Sequence, residues 1–264
     1  MDRAALLFCF GIGRLSALGH EQAWNGYLQR THPEDNTGLD VSWWESSARS
    51  EATGRSLQQG RILVRPAAKL DPIPVPSGLI HDWIGQILFP RTTLDHVLSV
   101  VLDHNRYAEF YAPLIVEAKT LSRSADRTEF ALVMQNRPLL SKTAVTTRYT
   151  EQVRYFDPNR VQIITQSSSI QEIENYGRTT PRVLSPEESS GYLWRIYSVA
   201  QYQQKSEGVV LQLELIVLSR DVPLALHWIV DPFLRHVAES TLRTSLERTR
   251  QAVENQNRES MANP

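Results

Sequence analysis

The chain has 264 residues, 41% of them hydrophobic and 22% charged, with 28 basic side chains against 29 acidic ones and a formal net charge of −1. A chain of that length buries roughly 70–75% of its unfolded surface, so its core requires no metal or disulfide staple. The near-neutral balance gives no overall pull towards nucleic acid or anionic membrane. The one cysteine, Cys9, excludes an internal disulfide and a cysteine-rich metal site.

The apolar run from Ala4 to Gly13 is too short to span a bilayer, and no integral membrane span is expected elsewhere. Arg3 precedes it, and Ala17-Leu18-Gly19 resembles a small-x-small cleavage site. Residues 1–19 therefore fit either a removed export signal, with a periplasmic or secreted product, or a packed N-terminal segment of a cytoplasmic one. Asp2 and Arg14 weigh against the signal. Gly11-Ile12-Gly13 lacks the preceding strand and third glycine of a dinucleotide fingerprint.

Residues 20–59 read as an N-terminal extension. Trp24, Tyr27 and Leu28 recur at helical spacing and predict a short helix over 20–30. The polar stretch 31–59 reads as a linker or loosely ordered arm. Trp43-Trp44 interrupts it and could anchor it to the domain or contact a protein partner.

An ordered domain is expected over 60–255. Arg61 to Arg65 alternates as a short strand, and the proline-punctuated stretch after it predicts an extended crossing. Gly78 to Phe89 is the first long strand, with Leu79, His81, Trp83, Gly85 and Ile87 on one face. Thr93 caps a helix carrying Leu94, Val97, Leu98 and Val101 on one side, and Tyr107, Phe110 and Tyr111 form a second short helix. Six strands follow, over 114–121, 128–137, 142–156, 161–174, 191–203 and 208–218. Short polar turns separate most of them, which implies an antiparallel meander.

The chain closes on a long helix. Asp231-Pro232 has the chemistry of a helix start, and Leu234, Ala238, Leu242 and Leu246 recur every four residues as one apolar stripe. Residues 256–264 read as a frayed, disordered tail.

Residues Leu98 to Leu121, with Asp103, Arg106, Tyr107, Glu109 and Phe110, together with Tyr192–Ser198 and Leu218–Pro223, resemble the START/polyketide cyclase-like (SRPBCC, helix-grip) superfamily, in an uncharacterised bacterial branch. The resemblance implies an α+β helix-grip fold: a curved antiparallel sheet of about seven strands around the C-terminal helix, with two short helices after the first strand. It also implies a cavity between sheet and helix that holds a hydrophobic small molecule such as a lipid, isoprenoid or polyketide. The same fold hosts transporters, cyclases and receptors, so it does not by itself assign a function.

Arg195 and Glu214 are charges in the middle of two strands that form a hairpin, so they could meet. With Tyr197 they either anchor a ligand head group on the cavity wall or form a cross-strand pair on the solvated face. Tyr149 and Glu172 are weaker candidates for the same wall, and Trp228 and Phe233 could close its mouth. Catalytic signals are sparse. The histidines show no HExxH pattern and no motif requires a metal or cofactor. A cyclase or dehydratase reading would have to use His81, Glu214 or Tyr149 as acid–base groups. His104 sits in a turn and is expected to be solvated.

Overall fold

The computed structural model describes residues 19–33, 51–136, 143–185, 188–189, 193–221 and 227–262, the side chains of 51, 136, 143, 227–238 and 260–262 excepted. Alternating apolar and polar residues build ten strands among them: β1 (Leu63–Pro66), β2 (Ile73–Val75), β3 (Gly78–Pro90), β4 (Ile115–Arg123), β5 (Arg127–Asn136), β6 (Thr143–Asp157), β7 (Arg160–Glu174), β8 (Arg182–Val183), β9 (Leu193–Lys205) and β10 (Gly208–Arg220). They form one antiparallel sheet in the order β1-β3-β10-β9-β7-β6-β5-β4, with β2 beside β3 and β8 beside β7.

The six expected strands after the short helices are all present as a meander, and the first long strand closes against the last. The count of ten exceeds the expected seven because β1, β2 and β8 add short pieces. β1 and β2 pair with successive parts of the same edge of β3, at Trp83–Gln86 and Gly78–Ile80. Pro66 and Pro74 thus stand on an edge, where a missing N–H is tolerated.

Among the described residues six helices accompany the sheet: α1 (19–31), α2 (Glu51–Gln58), α3 (Leu94–Val101), a 3-10 turn (His104–Arg106), α4 (Tyr107–Phe110) and α5 (His227–Ala262). Thr93 caps α3 as expected, its hydroxyl accepting from the His96 N–H at 3.3 Å. Helix α1 matches the helix predicted over 20–30. The loose arm does not extend to residue 59: α2 occupies its end and buries Leu57. Arg243 and Arg250 of α5 donate to the backbone oxygens of Ile62 and Gly60, which ties the following segment to the long helix. Trp43-Trp44 lies outside the described residues.

Helix α5 runs unbroken through Asp231-Pro232, where a helix start was expected. Pro232 stands early in the helix, so it forfeits one backbone bond close to the end where bonds begin. The expected tail is helical to Ala262. Contacts with α3 extend to the end of the apolar stripe, since His96 Nε2 lies 3.1 Å from the Val253 oxygen. No described helix is long and apolar enough to cross a membrane.

Antiparallel partners share a face, so the register sorts the sheet into two sides. One side carries Trp83, Gly85, Ile87 and Phe89 of β3 with Leu211, Val209, Ala200, Tyr202, Ile163 and Val161. These residues form the main core with Leu242, Leu246 and Val253 of α5 and the apolar side of α3. A Cβ at Gly85 would stand 2.5 Å from Leu246 Cδ1, so the absence of a side chain there lets the long helix seat against the strand. This is the gripping face. The opposite, outer face is covered over β3, β10 and β9 by α1, whose Trp24 and Tyr27 are buried with Ile80, Ile216 and Leu218.

Candidate ligand-binding site

Three neighbouring rows cross the gripping face. Val153, Ile163, Ala200, Leu213 and Gly85 form an apolar row, and α5 seats on its Gly85 end. Next to it run Thr128, Glu151, Thr165, Ser198, Leu215 and Trp83, a belt that is polar along four strands. Beyond lie Phe130 and Tyr149 at one end and Ile196, Val217 and His81 at the other.

Burial along these rows is uneven. Residues under α5 and α3 are closed off, whereas Ile196, Leu213, Leu215 and Val217 are only half-buried, as are Thr165 and Ser198 between them. Phe130, Leu132, Ile115 and Tyr149 form a separate apolar cluster, with Met134, Ala118 and Ile196 partly buried against it.

The belt ends in a buried polar pair. His104, from the 3-10 turn, is 0% exposed, and its Nε2 lies 3.1 Å from Oε2 of Glu151, itself 3% exposed. The imidazole stacks on Phe130 with centroids 4.1 Å apart and tilts against Tyr107 at 5.1 Å. His104 is therefore core, not solvated: the turn folds inward because its apolar neighbours Val101 and Phe110 do. The other ring nitrogen, Nδ1, and the other oxygen, Oε1, have no hydrogen-bond partner among the described residues.

Tyrosines surround the pair. The Tyr107 hydroxyl donates to the Val101 oxygen at 2.5 Å, and the Tyr111 and Thr249 hydroxyls are 3.0 Å apart. Tyr149 stacks on Phe130 at 5.1 Å. Burial pushes the hydroxyls of Tyr107, Tyr111, Tyr149 and Tyr202 above their ordinary range, and the Glu151 carboxylate adds to this for Tyr107 and Tyr202. They remain neutral phenols that can donate or accept.

The structure divides the residues expected at the site. Tyr149 lies on the gripping face, and Glu172 shares it through its pairing with Val145, half-buried near the end of β7. The side chains of Trp228 and Phe233 lie outside the described residues. Arg195, Tyr197 and Glu214 lie on the outer face, in register with Leu218, Ile216 and Val199.

Arg195 and Glu214 do not meet. Arg195 pairs with Glu21 of α1 at 2.7 Å, and Glu214 lies 3.3 Å from Nε2 of His32, just beyond α1. Tyr197 stands beside the same His32 ring, with centroids 5.5 Å apart. A bulge before Arg195 sets Trp194 towards α1 as well, where it stacks on His20 at 4.1 Å. Beneath α1 the Tyr27 hydroxyl donates to Asp82 at 2.6 Å. The Asp82 carboxyl, 2% exposed, is pushed up to about 7, first by burial and then by neighbouring Glu214. These polar contacts join the N-terminal helix to the sheet.

Of the gripping-face polar residues, Glu151 was legible by period two, since it follows Tyr149 and precedes Val153 on one side of its strand. His104 had no such signal, because a turn has no periodicity. Among the described residues no group of three or more His, Cys, Asp or Glu side chains could hold a metal ion.

No family model matches the sequence, and no curated protein does. Solved structures with a similar chain path include the STAR-related lipid transfer protein from Xanthomonas axonopodis, at 12% identity over 72% of this chain and 98% of that one, with a TM-score of 0.46. Human STARD10 matches at 9% identity over 88% of this chain and 84% of its own, with a TM-score of 0.49. The Zhui aromatase/cyclase from Streptomyces sp. R1128 matches at 12% identity over 66% and 94%, with a TM-score of 0.47. At these identities no residue role carries over. The chain has an α+β helix-grip fold on its own account, by its strand order, its gripping face and its closing helix.

Proposed function

We propose that the protein binds an apolar small molecule, such as a lipid, isoprenoid or polyketide-like compound, between the gripping face and the long helix. The observation that carries this reading is the half-burial of Ile196, Leu213, Leu215 and Val217 on the inner side of the sheet. Apolar side chains on that side belong in a core, and the four leave surface that a guest could cover. Such a guest would gain about 25 cal/mol for each Å² of apolar surface removed from water. Tyr149 and the belt from Glu151 to Ser198 would face it.

The test is native mass spectrometry of the purified protein, followed by melting of the stripped protein against a lipid panel. A co-purified apolar molecule, or a melting temperature raised in proportion to the logarithm of ligand concentration, is the expected result. No bound molecule and no shift across the panel would overturn it. For the acid–base alternative, His81 and Tyr149 share the gripping face whereas Glu214 lies on the outer one, so a substrate held inside could meet only the first two.

A further inference from the structure

We propose that the buried His104–Glu151 pair recognises a hydrogen-bond-donating end group, an alcohol or an amine, on the ligand. The proposal rests on the apolar-ligand reading and adds the chemistry of the ligand's polar end.

The argument is a count of donors and acceptors. The pair makes one contact, from Nε2 of His104 to Oε2 of Glu151 at 3.1 Å. If the imidazole is neutral and donates there, Nδ1 is left as a bare acceptor. Whatever the state of the ring, Oε1 of an ionised Glu151 can only accept. Neither atom has a partner among the described residues, although both side chains are buried. A buried acceptor left unmade is costly, so such a site favours whatever supplies the missing donor.

The nearest hydroxyls on helical elements are otherwise engaged. Tyr107 donates to the Val101 oxygen, and Tyr111 is bonded to Thr249. The polar belt links the pair to the half-buried apolar residues. Glu151 stands in register with Thr165, and Thr165 with Ser198, both half-buried among the accessible apolar residues. An apolar body lying on Ile196 and Leu215 would bring its end group along this polar belt to Glu151. A ketone, ester or ether would bring only lone pairs to face the carboxylate oxygen. A hydroxyl or ammonium group would complete the bond.

The test uses the full chain, stripped of bound molecules, and the matched probes decan-1-ol, decyl methyl ether and decane, each displacing a fluorescent apolar dye. The alcohol is expected to bind about tenfold more tightly than the ether. In Glu151→Gln, whose amide can turn a donor towards the ligand, the ratio should fall to within about twofold. Equal binding of alcohol and ether by the natural protein overturns the recognition proposal and leaves the apolar site standing. So does a preference that survives in a folded Glu151→Gln protein. Failure of all three probes to displace the dye overturns the binding reading itself. The alcohol-to-ether comparison is made on the unsubstituted protein, so it decides the matter even if Glu151→Gln does not fold.

Discussion

Replacing Gly85 with alanine is the most direct test of how the long helix is gripped. The added methyl would stand 2.5 Å from Leu246 Cδ1, 3.1 Å from Leu242 Cγ and 3.2 Å from Leu242 Cδ2. Carbon atoms pack best at about 3.5–4.0 Å. Leu246 can relieve its overlap by turning its end, but Leu242 Cγ sits close to the stem, so the helix must move by a few tenths of an ångström. Overpacking of this kind costs about 1–3 kcal/mol, against about 0.5–1 kcal/mol recovered by replacing a mid-strand glycine. The net loss should be about 1–2 kcal/mol, and each kcal/mol lowers the melting temperature by roughly 2–4 °C in a domain of this size.

Urea unfolding followed by circular dichroism reads the loss as a lower midpoint at unchanged slope. Leu246→Ala alone should cost about 2–5 kcal/mol, and less when combined with Gly85→Ala, with a coupling of about 0.5 kcal/mol or more. A Gly85→Ala protein as stable as its parent, or strictly additive substitutions, would show that α5 does not seat on β3 through these side chains.

The outer face should respond to pH. Asp82 is raised to about 7 beneath α1, by burial first and then by Glu214, while Tyr27 and His32 face it from the helix and its end. The seated state therefore holds a proton that the detached state releases. The stabilisation is complete below about pH 4, declines as the pH rises through about 7, and is flat beyond. Hydrogen exchange of residues 19–31, corrected for intrinsic rates, should show less protection at pH 8 than at pH 5, and Asp82→Asn should remove the difference; equal protection in the natural protein would refute this. Tyr111→Phe should cost about 1 kcal/mol through loss of the bond to Thr249. Thermal unfolding measures that change, and an unchanged melting temperature would mean that the hydroxyl pair does not help hold α4 to α5.

Much of the molecule was legible locally. Period-two alternation located the long strands within about two residues, Thr93 marked the start of α3, and the four-residue recurrence of Leu234, Ala238, Leu242 and Leu246 marked the closing helix. The short strand β1 was expected from the alternation of Arg61 to Arg65, but β2 and β8 were harder, because two or three residues leave too little alternation to read. Helix α2 was hidden for a related reason: a single buried leucine in a polar stretch gives no stripe, and its order comes from what it packs against.

The candidate site divided along the same line. Alternation placed Arg195 with Tyr197, and Glu214 with Gln212, on common faces of their strands. It could not say which side of the sheet would receive the long helix and which the short N-terminal one. A strand's pattern is symmetric under that exchange, and both sides of β9 and β10 carry polar groups among apolar ones. The sequence by itself therefore determined the long elements, their order and the meander. Only the tertiary structure decided that Arg195 and Glu214 hold α1 on the outer face, and that His104 and Glu151, 47 positions apart, meet inside. Local periodicity arises from neighbouring residues, whereas the side a face turns to and the partners of a turn are set by packing between distant segments.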